Sequence, residues 1–167
     1  MSPLAQLHSS IWHPGTVYEA TSFTVPFLIQ LAAEPKTPDR VGVLGLIAAI
    51  ASGTSYLEVH GEFLKKVKVP AVGFPGTPEF EQKKAVELRW MKKVHEAVAA
   101  GFRVFVELTS DNSDVAYPAA NVLARIRNRT EEVRRLLLRM LVNETRGLYR
   151  AGLILLLALD LRQLSPS

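Results

Sequence analysis

Three clusters in the sequence combine residue types that could do chemistry. Glu58-Val-His60-Gly-Glu62 places acid, imidazole and acid at alternate positions. On an extended segment that spacing puts all three on one side, where they would offer a metal three hard ligands. The glycine-containing loop around them makes a solvated stretch the simpler reading. His60-x-Glu62 is also the opening of a zinc-deaminase motif, but the Pro-Cys-x-x-Cys that must follow is missing, since the chain has no cysteine. His95 falls between Met91 and Val98 at helical spacing, which predicts a histidine at the core edge bonded to a carbonyl rather than a base or ligand. His13, Tyr18 and Glu19 gather at the first turn, where they either cap and pack or hold part of a partner. No glycine-rich phosphate loop, His-Glu-x-x-His or Gly-x-Ser-x-Gly is present. The sequence therefore nominates no catalytic residue, cofactor or metal site, and points away from an enzyme.

Charge is the next signal. The 167 residues carry a net charge of +4 with 22% charged residues, mildly basic rather than the excess of a dedicated nucleic-acid arm. Every basic residue after Arg103 is an arginine, and Arg125, Arg127, Arg129, Arg134, Arg135 and Arg139 crowd a short stretch. Arginine offers planar, multi-donor contacts that lysine supplies poorly. Arg125, Arg127, Arg129, Arg135 and Arg139 are thus candidate partner-binding residues beside His13, Tyr18 and Glu19. If they share one surface, nucleic acid is the alternative partner to a protein.

These residues need elements to position them, and the periodicity is helical. A first helix is expected from Thr16, with a Thr16–Glu19 capping box, to about Ala33. Ala20, Phe23, Phe27 and Leu31 form its apolar face, and Pro26 kinks or splits it. A second starts at Thr37-Pro38-Asp39, with Val41, Leu44, Ile47, Ala48 and Ala51 as its stripe. A third runs from Thr77-Pro78 to about Thr109, with a bend at Gly101. A fourth starts at Ser113 or Asp114 and a fifth at Thr130. A sixth spans about Gly147 to Arg162. Residues 54–78, rich in glycine and proline, interrupt the pattern. No apolar run reaches the ~20 residues of a membrane span, and no secretory leader is seen at the N-terminus, so a cytoplasmic protein is expected.

A frame repeats over these helices. Leu31, Glu34 and Arg40 recur as Leu141, Glu144 and Arg150, and as Leu108 and Asp111 with Tyr117 in the arginine's place. The gap between the first two copies is more than twice that between the last two, which places an insertion after the first pair. Three copies of a helix–turn–helix unit are the mark of a stacked helical repeat.

The frame resembles HEAT-type repeats, in which an acid and an arginine link neighbouring units through their turns. Glu34/Arg40 and Glu144/Arg150 match, and Asp111/Tyr117 keeps the acid alone. The stretch His13-Pro-Gly-Thr-Val-Tyr-Glu-Ala-Thr21, followed by Val25-Pro-Phe-Leu28, resembles the start of a bacterial HEAT-repeat-containing family, which usually has Gln where this chain has Pro14. The resemblance implies one all-α domain over residues 1–167. It would be an α-solenoid of about three helix pairs with an insertion at 54–78, acting as an adaptor or regulator of another protein, including neutralisation of a bacterial partner protein. It implies no reaction. The last helix is apolar from Leu153 to Leu159, and a terminal repeat normally turns a polar face outward. A homodimer through this helix is the simplest external cover.

Overall fold

The computed structural model describes residues 12–13, 16–58, 60 and 75–162. They form an all-α chain. Its helices are α1 (Thr21–Ala33), α2 (Arg40–Ala51), α3 (Pro78–Ala100), α4 (Phe102–Leu108), α5 (Ser113–Leu123), α6 (Thr130–Asn143) and α7 (Gly147–Arg162), with a 3-10 turn over Arg127–Arg129. A two-residue antiparallel ladder, β1 (Trp12–His13) with β2 (Thr16–Val17), precedes α1. No described helix is long and apolar enough to cross a membrane.

The start of α1 differs from the sequence expectation. Thr16 lies in the ladder with an extended backbone, so the helix starts at Thr21 and not at Thr16. Thr21 Oγ1 accepts from the Tyr18 amide at 3.0 Å. The helix then runs through Pro26 unbroken, and Thr24 bonds back to the Thr21 carbonyl at 2.8 Å rather than capping a second half.

The expected inner face of α1 is also reversed. Thr21, Val25, Leu28 and Ala32 are buried, whereas Phe23 and Phe27 are 66% and 65% exposed and Leu31 is exposed too. Both faces of this helix are apolar, so periodicity does not choose between them. The rest of the fold does, because the Val25 face packs against α2, α3 and α4 in the common core. Beside that face, a Cβ at Gly101, where α3 meets α4, would lie 2.6 Å from Ile29 Cδ1 and 2.9 Å from Phe105 Cε2, so only glycine fits there.

Helix α2 begins at Arg40, not Pro38. Its cap is Asp39, whose backbone is left-handed (φ 54°) and whose Oδ1 accepts from the Gly42 amide at 2.9 Å. Aspartate is among the few residues that tolerate this conformation, because its short side chain bonds locally. The apolar sequence of α2 is buried almost all round between α1, α3 and α5, although Val41 is exposed. Helix α3 starts as expected, with Pro78 in its first turn and Thr77 Oγ1 accepting from the Phe80 amide at 3.4 Å. It ends at Gly101, and α4 continues as helix through Val104–Leu108 despite the strand-forming residues there.

Sequential helices pair as hairpins: α1 with α2, α4 with α5, and α6 with α7. First helices meet across hairpins, α1 lying on α3 and α4. Second helices do the same, α2 on α5 and α5 on α7. One core of buried residues joins all three hairpins, from Val25 and Leu44 through Phe105 and Leu123 to Leu137 and Leu153. The first part of the interruption is docked on this body. Glu87 of α3 accepts from Ser55 Oγ at 2.7 Å and from the Leu57 amide at 3.0 Å, and Leu57 packs with Phe80. Residues 61–74 of the expected insertion lie outside the described chain.

The two outer turns are near copies. Glu34 and Glu144 both end a helix in extended conformation, and their side chains accept from the amide two residues ahead, Lys36 at 3.0 Å and Arg146 at 2.9 Å. Arg40 Nε donates to the Ala32 carbonyl at 2.9 Å, and Arg150 donates to the carbonyls of Leu141 and Glu144 at 2.9 and 2.8 Å. The expected acid–arginine side-chain pairs are therefore not the ones formed. Each arginine instead satisfies carbonyls that its preceding helix leaves open. Arg40 also reaches the next hairpin, pairing with Asp111 at 3.0 Å, with side chains only 10% and 30% exposed. In the middle turn Tyr117 cannot bridge as an arginine would. It packs on α7, so close to Gly152 that any Cβ there would overlap its ring, and it meets Tyr149 edge-on at 5.6 Å.

Arg40→Ala removes a helix cap and an inter-hairpin ion pair together. A loss of roughly 1–3 kcal/mol is expected in urea denaturation, with a smaller loss for Asp111→Asn. The double variant should fall short of the sum, because the two side chains are one contact. A sum that is fully additive would mean the pair contributes nothing across the junction.

Candidate functional site

A cavity of about 290 Å³ lies between α3 and the facing ends of α2 and α5. Ala51, Met91, Val98, Ala99 and Ile126 make its apolar wall, and its polar rim holds Lys92, His95 and Glu96 from α3 with Arg125 and Arg127. Helical spacing explains the α3 contribution: Met91, His95, Val98 and Ala99 recur along one face.

Arg125 is held in place. It donates through Nε to Ser52 Oγ and through Nη1 to the Asn121 carbonyl at 2.6 Å and to Asn121 Oδ1. The end of α5 is thereby tied to the end of α2, and burial draws the Arg125 pKa below the ordinary arginine value. Arg127 is exposed, and its guanidinium has no partner among the described residues. His95 is half-buried and its buried Nε2 lacks a hydrogen-bond partner. Burial lowers the His95 pKa from its ordinary 6.5, the Arg127 charge lowers it further, and the backbone at Gly53 and Ala51 opposes both. His95 sits at the core edge as expected; the carbonyl bond expected with it shows only in the backbone hydrogen bonds at Gly53 and Ala51 that raise its pKa, and Nε2 itself meets no partner.

The other arginines scatter. Arg129 stacks over the Phe102 ring at 4.6 Å and pairs with Glu132 at 3.3 Å. Arg134 pairs with Glu131 at 2.5 Å. Arg135 and Arg139 border a shallow depression on α6 with Glu131, Glu132 and Leu138. Arg139 also reaches a polar groove of about 470 Å³ between the second and third turns, near Asp111, Glu144 and Arg146. Thus Arg125 and Arg127 share one concavity, Arg135 and Arg139 another, and Arg129 neither. Three hydrogen bonds from Arg146 hold the Glu144 carboxyl well below its usual range, at about 2. Asp114 accepts from Tyr149 at 3.0 Å and raises the tyrosine's pKa.

At the first turn, Tyr18 and Glu19 are exposed, and His13 contributes backbone to the ladder while its side chain lies outside the described residues. His60 stacks on Tyr56 at 4.3 Å and its Nδ1 donates to the Tyr56 carbonyl at 3.1 Å, and Glu58 accepts from Thr54. Glu62 lies outside the described residues. Among those described, no group of three His, Asp or Glu could hold a metal.

Two features were missed by sequence reasoning. One is the cavity, whose walls come from elements distant in sequence. The other is Glu87, a lone acid on a polar helix face that clamps the segment after α2. No family model, curated protein or solved structure matches the chain.

The His95 environment sets a sign for pH dependence. The groups around the ring are Lys92 and Glu96 on α3, Arg125 and Arg127 beyond α5, and the backbone at the end of α2. Because the folded pKa is lowered, the unfolded chain takes up the proton first. This contribution to stability is fully present above 6.5 and is lost as pH falls below it. The thermal midpoint should therefore drop between about pH 7.5 and 5.5, and His95→Gln should reduce the drop. An equal drop in both proteins would place the titration elsewhere.

Proposed function

We propose that this chain is a non-catalytic helical-repeat protein of the HEAT-like α-solenoid type, acting as an adaptor or regulator that binds another protein. The row of second helices, α2 on α5 and α5 on α7, and the packing of α1 on α3 and α4 support the repeat reading, as do the matching turns at Glu34 and Glu144. The observation that carries the binding reading is the outward stripe of α1. Phe23, Phe27 and Leu31 lie on one face at four-residue spacing, all exposed, with Tyr18 exposed just ahead of the helix. Contiguous exposed aromatic surface marks an interaction site, and large aromatics are the usual anchors of protein interfaces.

Nucleic acid is the less favoured partner. Phosphate binding gains from many cations on one surface. Here Arg125 is tied inward and Arg129 and Arg134 face acids. A second association has its own observation. At the last hairpin Val142 and Leu148 are 80% and 88% exposed, and Ile154 and Leu155 are exposed on α7. That surface favours a homodimer through the C-terminal helix, a self-complementary patch that closes on itself.

Phe23→Ser with Phe27→Ser should leave the fold unchanged, since both rings face water, and should abolish nuclease-resistant capture of a protein partner. Capture that is nuclease-sensitive, or indifferent to the substitutions, would overturn the adaptor reading. For the homodimer, sedimentation equilibrium should give a dimer for the native chain at tens of micromolar and a folded monomer for Leu148→Glu with Leu155→Glu. A native chain that sediments as a monomer there removes the dimer.

A further inference from the structure

We infer that the cavity between α3 and the ends of α2 and α5 is a binding site for a small organic carboxylate with an apolar body. Its wall is aliphatic, from Ala51, Met91, Val98, Ala99 and Ile126, and about 290 Å³ lies within it. An apolar cavity of about half that size already takes up a benzene-sized molecule. Pockets of this kind bind through their apolar wall and orient through a few polar groups.

The cations at the rim favour an anion. Arg125 is braced by Ser52 and Asn121 through Nε and Nη1, which leaves Nη2 without a partner among the described residues. Arg127, two residues on, has no side-chain partner there at all. His95 brings a buried Nε2 that makes no direct hydrogen bond, while backbone hydrogen bonds at Gly53 and Ala51 act on the ring. The one acid at the rim, Glu96, lies 3.9 Å from Lys92, so Lys92, Arg125 and Arg127 stand against a single carboxylate. A buried polar atom left unpaired is costly, and a ligand oxygen is one way to satisfy it. A carboxylate has two acceptor oxygens. One would accept from Arg127 and Arg125, and the other from His95 Nε2–H, as charge-assisted hydrogen bonds. Burial and the neighbouring Arg127 both favour the neutral ring, and in its Nε2–H tautomer that ring donates its one proton to the ligand. Phosphate would match the cations but leave the aliphatic wall uncovered. A neutral amphiphile would cover the wall but leave the arginines unpaired.

The test uses the full chain and three probes: hexanoate, hexanol and inorganic phosphate. Binding is read by calorimetry and by NMR shifts of the His95 ring. Hexanoate should bind saturably and move the His95 signals, while hexanol and phosphate should bind about tenfold more weakly or not at all. Arg127→Gln replaces an exposed residue, so it should fold normally and weaken hexanoate about tenfold. Arg135→Gln, on the separate depression of α6, should leave it unchanged. The site is overturned if hexanoate shows no saturable binding up to about 10 mM. It is equally overturned if hexanol or phosphate binds as well, or if Arg135→Gln weakens hexanoate as much as Arg127→Gln does.

Discussion

Arg40 closes the first hairpin and joins it to the second. Its Nε satisfies the Ala32 carbonyl at the end of α1, and its Nη1 meets Asp111 at the turn before α5. The side chain is nearly buried, so its charge must be matched where it lies. That requirement sets the distance between the first and second turns and seats α2 between α1, α3 and α5. The same chemistry recurs at the far end, where Arg150 caps α6 in the way Arg40 caps α1. At the middle turn an aromatic replaces the cation, and shape replaces charge. Tyr117 fits where Gly152 leaves room.

The surface divides along similar lines. The arginines that crowd the sequence from Arg125 to Arg139 are not neighbours in space, because a helix end, a 3-10 turn and a new helix separate them. Some are spent on contacts of the fold itself: Arg125 ties two helix ends, and Arg129 lies on the surface over Phe102. The side chains left outward on α1 and on the last hairpin are apolar. The chain thus presents aromatic and aliphatic area for contact and keeps much of its cationic surface in local pairs. This balance suits a protein partner better than a phosphate backbone.

The cavity beside His95 arises from the same constraint. Arg125 holds the end of α5 against the end of α2, and α3 crosses beside both. The three do not meet perfectly, and the gap between them is lined by whatever each turns that way. A histidine with an unpaired nitrogen and an arginine with no partner face a wall of methyl and methylene groups. The buried nitrogen is the costly member of this arrangement, since Arg127 reaches water.

Much of the fold was legible in the sequence. The all-α class, the starts of α3 and α5, the bend at Gly101, the helical state of Val104–Leu108 and the bounds of α7 all follow from local rules: capping, the fixed φ of proline, and 3.6-residue periodicity. The repeated frame was also legible, since leucine, acid and arginine at constant spacing need no tertiary knowledge to see. Its physical content was not. Glu34 and Glu144 bind backbone amides ahead of them, and the arginines bind carbonyls behind, because orphan helix-end groups are nearer than the opposite charge. Which face of α1 turns inward was undecidable from its own residues, both faces being apolar. Packing against α2, α3 and α4 decided it. The cavity belongs wholly to tertiary structure, because Ala51, His95 and Arg127 meet only when three helices pack. Separation along the chain carries no trace of a gap whose shape depends on how those helices end.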